Sequence, residues 1–279
     1  VKSAAVIQLR SGPEVDVNLR RAGRLLERAA ADGASLAVLP ENFACMPGVA
    51  ADRRRAAESA DGGPIQAFLG ETAARLGIWI VGGTVPLTME EKRVAAAVLV
   101  YDASGRRVAR YDKMHLFDVS LPGRRESYRE SRHFVPGRAP VAVDTPLGRM
   151  GLAVCYDLRF PEFFRVLALR ERCELFAVPS AFTAATGRAH WTMLLRARAV
   201  ENQCFVCAAA QSGVHADGRE THGQSMIVDP WGVVVARLPR RAGVAAAGLD
   251  HAAQRRLRQR FPVLEHQRWD ELARGRRGS

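Results

Sequence analysis

Apolar and polar positions come in blocks along the chain, and the blocks switch period. "AAVIQL" (residues 4–9) is a short, nearly continuous apolar run. It is followed from Val15 to Ala31 by apolar residues at three- and four-residue spacing, the signature of a strand leading into an amphipathic helix. The rhythm repeats with "SLAVLP", a helix over Pro64–Leu76, "IWIVGGT" and "AAAVLVYD". In the second half "GLAVCY" leads to a helix over Pro161–Arg172, and "LFAVPS" leads to one from roughly Arg188 to Asn202. "CFVCAAAQ", "SMIVDP", "VVVARL" and "GVAAAGLD" then follow. Runs such as LAVLP and LFAVPS are apolar on both faces, so their sheet must be covered on both sides. Successive strands with no helix between them require hairpin pairing, so the sheets should be mixed. The expectation is one α/β domain over residues 1–270, two sheets back to back with helices outside, and an Arg/Gly-rich tail at 271–279.

Composition narrows the function classes. With 48% hydrophobic and 25% charged residues, and no apolar run near the roughly 18 residues of a membrane span, no membrane partner is expected. Five cysteines (45, 155, 173, 204, 207) are an odd number without framework spacing, and no basic-then-apolar leader opens the chain; a reducing, cytoplasmic setting is expected. The chain begins with Val rather than Met, so a few residues are expected to precede it. Cys204 and Cys207 form a C-x-x-C, but in an apolar strand-like run without Gly or Pro, which favours core packing over a metal or redox pair. The net charge of +12 raises nucleic-acid binding. The arginines are spread along the chain among Glu and Asp, concentrate only in "QRRLRQR" and "RGRRGS", and accompany no recognition motif, so a solvated basic surface and no nucleic-acid partner are expected. Of 41 Lys plus Arg, only Lys2, Lys92 and Lys113 are lysine, which marks Lys113 as a place where a compact ammonium is needed.

The candidate chemistry lies where apolar runs end. Cys155 closes "GLAVCY" and is followed by Tyr156, Asp157, Arg159, Pro161 and Glu162. A cysteine there is most simply core packing. Yet ligands bind outside the carboxyl ends of strands in open α/β sheets, and a helix starting at Pro161 would supply N–H groups and a positive dipole end that favour thiolate. Glu41 in "LAVLPENF" ends another apolar run, and Lys113 sits in "ARYDKMHLFD". Each alone reads as a solvated loop residue. Together they offer a nucleophile, a carboxylate base and a cation, the set that acyl transfer through a thioester requires.

With "LPENF", "YDKMHLFD" and "VCYDLRFPE" in this order, the sequence resembles the nitrilase superfamily of carbon–nitrogen hydrolases from about Ala5 to Trp269. The resemblance implies a four-layer α-β-β-α sandwich, no metal or other cofactor, and a homodimer or larger homo-oligomer. It also implies Glu41, Lys113 and Cys155 as the catalytic set, with a second glutamate between the lysine and cysteine motifs. In "GRRESYRESRHFVPG" Glu130 fits that place better, since its "ES....PG" resembles the amidase branch, and Glu126 stays open. True nitrilases usually carry Trp-Glu after the cysteine; here Tyr-Asp follows, pointing to an amide. "CYDLRFPE", "PSAFTAATGRAHW", "LLRARAVENQC" and "SMIVDPWG" resemble the deaminated glutathione amidases and, more loosely, ω-amidases acting on α-ketoglutaramate or succinamate. That implies a small carboxylate-bearing amide as substrate, with Tyr156, Arg159, Phe182 and Thr186 facing it. N-carbamoyl amides and a non-catalytic binding relative are the alternatives. Read from the residues, Arg159 either grips a substrate carboxylate with its planar fork or pairs with Glu162 or Asp157. His190 in "GRAHW" is expected to be structural, since Glu41 already supplies a base.

Overall fold

The computed structural model describes residues 1–46, 55–89, 93–120 and 127–268. The first half supplies β1 (Ser3–Gln8), α1 (Val15–Ala31), β2 (Ala34–Val38), α2 (Pro64–Leu76), β3 (Trp79–Val81), β4 (Val85–Thr88), β5 (Val94–Tyr101), β6 (Arg107–Asp112), and a ribbon of β7 (Asp118–Ser120) and β8 (Ser127–Arg129). The second half supplies β9 (Ala142–Thr145), β10 (Gly148–Leu152), α3 (Pro161–Leu169), β11 (Leu175–Ser180), α4 (Thr192–Asn202), β12 (Phe205–Ala210), a ribbon of β13 (Ser212–Val214) and β14 (Glu220–His222), β15 (Met226–Val228), β16 (Val234–Arg237), β17 (Gly243–Gly248) and α5 (His251–Arg260).

One sheet runs β17-β1-β2-β3-β5-β4 with β6 on β5, and the other β16-β15-β12-β11-β10-β9. Each has a parallel centre, β1-β2-β3 and β10-β11-β12, flanked by antiparallel strands, so both are mixed as the pattern predicts. Strand alternation assigns the layers. In β1, Ala5 and Ile7 pack with Leu19, Leu26, Leu69 and Ala73 of α1 and α2, while Ala4 and Val6 join the core between the sheets. On the far side Phe176 of β11 meets Phe164 of α3 edge to face at 5.1 Å. The result is the four-layer sandwich.

Three local readings are corrected. The strand in "GLAVCY" ends at Leu152, and Cys155–Arg159 form a 3₁₀ turn, so five residues separate the thiol from the start of α3 at Pro161. The helix expected from Arg188 is preceded by a helical turn at Ala184–Thr186 and a π turn at Gly187–Trp191. The basic "QRRLRQR" (254–260) forms the C-terminal part of α5, with its arginines turned largely to solvent while its first residue, Gln254, is buried and donates to the Glu174 and Gln203 carbonyls. The tail at 271–279 and Glu126 lie outside the described residues.

Candidate active site

The two sheets deliver their chemistry at strand ends. Glu41 lies three residues past β2, Cys155 three past β10, Lys113 immediately after β6, and Ala181 and Phe182 immediately after β11. Glu41, Lys113 and Cys155 are all buried, at 4%, 2% and 8% exposure. They line one cavity of about 590 Å³ with Glu130, Tyr156, Arg159, Phe182 and Thr186, so every site residue expected from the sequence that lies within the described chain is brought together.

Lys113 is the hub. Its Nζ donates to Glu41 Oε1 at 2.8 Å and to both oxygens of Glu130 at 3.0 and 2.9 Å. Glu130 Oε2 also accepts the Phe117 N–H at 2.7 Å, which fixes the carboxylate over the loop that carries the lysine. Burial by itself lowers the pKa of the Lys113 ammonium, but Glu130, Glu41 and the Cys155 sulfur together raise it well above the usual lysine range. The cation is locked in its charged form.

The thiol is the reverse of the expectation. Burial is the main influence raising the pKa of Cys155, with the Glu41 carboxylate adding to it; Lys113 and the Ala181 N–H pull the other way without prevailing. The resting residue is therefore held as a neutral thiol by burial and the nearby Glu41 carboxylate, not as a thiolate by a helix start. Cys155 also sits at φ +45°, in the left-handed region, which turns its side chain into the cavity.

Glu41 is held from behind: Gln211 Nε2 donates to the Glu41 carbonyl at 3.1 Å and to Ser11 Oγ at 2.9 Å. Gln211 lies 170 residues along the chain from Glu41, too far for any local pattern to link the two.

Arg159 is half-buried and pairs with neither Glu162 nor Asp157; among the described residues no carboxylate lies within 4.0 Å of its guanidinium. It donates to His190 Nδ1 at 3.3 Å and lies over the rings of Phe182 and Tyr156, at 5.4 and 5.9 Å. His190 thus stands beside the arginine rather than beside the thiol. Asp157 is consumed elsewhere: its carboxylate accepts from Tyr111, His115 and Val154. Arg219, on the β13–β14 hairpin, also lines the cavity and donates to the Ala181 carbonyl at 2.6 Å. Sequence reasoning missed Arg219, Gln211 and the buried set of Tyr111, His115 and Asp157; for the last, Tyr111 and His115 flanking Lys113 were a usable sign.

Cys204 and Cys207 are fully buried with pKa values pushed up to about 12, by burial first and, at Cys204, against the pull of Arg258. They pack in and beside β12 as expected. Among the described residues no helix is long and apolar enough to cross a membrane.

Comparison with known proteins gives a concordant picture. Residues 3–259 match the family model described as carbon-nitrogen hydrolase. A Yersinia enterocolitica protein named deaminated glutathione amidase is 39% identical over 269 residues, covering 96% of this chain and 93% of that protein. The crystal structure of the Caenorhabditis elegans NitFhit protein superposes with a TM-score of 0.89 at 37% identity, covering 96% of this chain and 65% of that one. Saccharomyces cerevisiae Nit3, described as a member of branch 10 of the nitrilase superfamily, superposes with a TM-score of 0.83 at 30% identity over 94% of each chain.

Proposed function

The chain belongs to the carbon–nitrogen hydrolase family, and from that premise we propose that it is an amidase in which Glu41, Lys113, Cys155 and Glu130 cleave a small carboxylate-bearing amide of the deaminated glutathione kind. The observation that carries this reading is the single ammonium of Lys113 within 3.0 Å of two carboxylates in the cavity that also holds Cys155.

A primary amide is a weak electrophile with a poor leaving group, so the site must make a thiolate only as it attacks. Cys155 Sγ bonds to the carbonyl carbon while its proton passes to Glu41. The Lys113 ammonium and the Tyr156 N–H hold the oxyanion. When the C–N bond breaks, the departing nitrogen takes the proton from Glu41 and leaves as ammonia or an amine. A thioester remains on Cys155. Glu41 then takes a proton from water as the oxygen attacks the thioester, and returns it to the sulfur as the acid leaves. Glu130 keeps Lys113 aimed at the oxyanion throughout.

The substrate class rests on Arg159, a half-buried guanidinium in the cavity wall with no carboxylate within 4.0 Å among the described residues, and on the names of the relatives. Phe182, Tyr156 and Thr186 would contact the rest of the molecule. The test is ammonia release from deaminated glutathione, α-ketoglutaramate, succinamate, a simple nitrile and an N-carbamoyl amino acid. Preference for the first is expected; preference for α-ketoglutaramate or succinamate would assign an ω-amidase. Arg159→Ala should raise KM for an acidic amide by roughly 10- to 150-fold, from a charged hydrogen bond worth about 1.5 to 3 kcal/mol, and Arg159→Lys by less. A neutral amide should scarcely respond. Equal losses on both would reduce Arg159 to a structural role.

A homodimer is proposed from one apolar patch. Val200 and Trp231 are exposed beside Gly232, and Phe261 stands 6.3 Å from the Trp231 ring. Five free thiols fit a reducing, cytoplasmic setting.

A further inference from the structure

We propose that Asp157 is a positioning residue that clasps the cysteine turn to the lysine loop and so sets the separation of Cys155 and Lys113; this rests on the amidase reading above.

Two observations meet here. The first is the strain at Cys155, whose φ of +45° is a conformation that an L side chain keeps only when its surroundings impose it. Asp157 closes the turn from both sides: its N–H donates to the Val154 carbonyl at 2.9 Å, and its Oδ2 accepts the Val154 N–H at 2.7 Å. Cys155 is enclosed between these bonds.

The second is where the rest of the carboxylate goes. Oδ2 also accepts the Tyr111 hydroxyl at 2.7 Å, and Oδ1 accepts the His115 N–H at 3.2 Å and its ring Nδ1 at 2.7 Å. Tyr111 and His115 lie two residues before and two after Lys113. Tyr111 Oη in turn accepts the Met114 N–H at 3.2 Å, and the His115 ring stacks on Phe160, just past the cysteine turn, at 3.7 Å and 10°. One fully buried carboxylate therefore ties both flanks of the lysine to both flanks of the nucleophile, while its own hydrogen bonds go to Tyr111, His115 and Val154 and not to Glu41, Lys113, Glu130 or Cys155.

Four donors on two oxygens use the full acceptor capacity of a carboxylate. An asparagine of the same shape would present an NH₂ to donors at one of the two positions. Asp157→Asn should therefore loosen either the turn or the loop without changing volume. A misplacement of about 1 Å among reacting groups costs about 100-fold in rate.

The test uses the purified protein and the amide it turns over best. Asp157→Asn should lower kcat by about 100-fold while KM stays within about threefold, because no group binding the substrate is touched. Alkylation of Cys155 by iodoacetamide should slow as well. Tyr111→Phe and His115→Ala each remove part of the clasp and should lose less, and the double variant should approach Asp157→Asn. The proposal is overturned by an Asp157→Asn protein whose kcat stays within about threefold of the parent, or whose loss is confined to KM or vanishes on assay well below its melting temperature. If Asp157→Asn does not fold, the Tyr111→Phe/His115→Ala protein decides by the same criteria. Failure of the amidase reading looks different: Cys155→Ala would still turn over, or the acyl adduct in the parent would lie on another cysteine.

Discussion

Lys113 is the sharpest residue in the site, because this chain replaces lysine by arginine nearly everywhere else. A buried ammonium donates along three directions from one atom, and here two carboxylates take them within 3.0 Å. A guanidinium is longer, planar and spreads its charge, so it cannot occupy the same point between Glu41 and Glu130. Lys113→Arg is accordingly expected to damage kcat nearly as much as Lys113→Ala, each by about 100-fold or more, as for loss of an oxyanion donor. Steady-state kinetics on the three proteins check this, and an arginine variant with most of its kcat would remove the lysine from the reaction.

At the scale of elements, the lysine depends on a glycine. The Gly137 N–H donates to the Lys113 carbonyl at 2.8 Å, and a Cβ at Gly137 would stand 1.9 Å from the Asp112 carbonyl oxygen. That oxygen is backbone at the end of β6 and cannot step aside alone. Gly137→Ala should push the 137 segment off the strand, destabilise the fold by about 1–3 kcal/mol and lower kcat with it. Gly12→Ala is the matched control, since a Cβ there meets nothing within 4 Å; it should stay within about 0.5 kcal/mol of the parent. Denaturant melts and kcat for both variants test the comparison. A Gly137→Ala protein as stable and active as the Gly12→Ala one would show that the close approach relaxes freely.

Across the whole molecule four thiols are buried with raised pKa, and this sets an alkaline limit. Burial, first among the causes at each, raises the pKa of Cys155, Cys173, Cys204 and Cys207, the last two to about 12. In the unfolded chain a thiol ionises at about pH 8.5. Below that pH both states hold the proton and stability does not change. Above it the unfolded chain sheds protons that the fold retains, so stability falls by up to about 1.4 kcal/mol per pH unit for each thiol. Lys113 does not offset this: its raised pKa contributes stability that is intact below about 10.4 and is lost only at higher pH. The melting temperature should be flat from pH 7 to 8 and drop steeply between 9 and 10, and Cys207→Ala should flatten the drop by about a quarter while lowering overall stability. A flat profile through pH 10 would contradict the burial argument. At the same scale, sedimentation velocity should show a dimer that Trp231→Asp converts to monomer. A dimer unaffected by that change would place the interface elsewhere.

What the sequence determined by itself is what short-range pattern and chemical necessity can encode. Period and length located α1 and α2 to the residue, because one face of each must meet a sheet. Apolar runs at both faces required a covered sheet, and the layers followed. Glu41 and Cys155 were legible because each follows an apolar run that can only be interior, and Lys113 because it is one of three lysines in an arginine-rich chain; together they are the residue types that acyl transfer through a thioester requires. Tertiary structure decided the rest. The ionisation of Cys155 turned on burial and on Glu41, 114 residues earlier, which outweigh the local backbone that favoured thiolate. Arg159 had two credible partners in sequence, and the fold left it facing the cavity because Asp157 is taken by groups 42 and 46 residues away. The π turn before α4 and the conversion of a basic stretch into α5 likewise depend on what packs beneath them. Local sequence fixes which groups are interior and which are reactive; only the closed fold brings distant donors and charges within a few ångströms, where hydrogen bonds and desolvation decide what each group does.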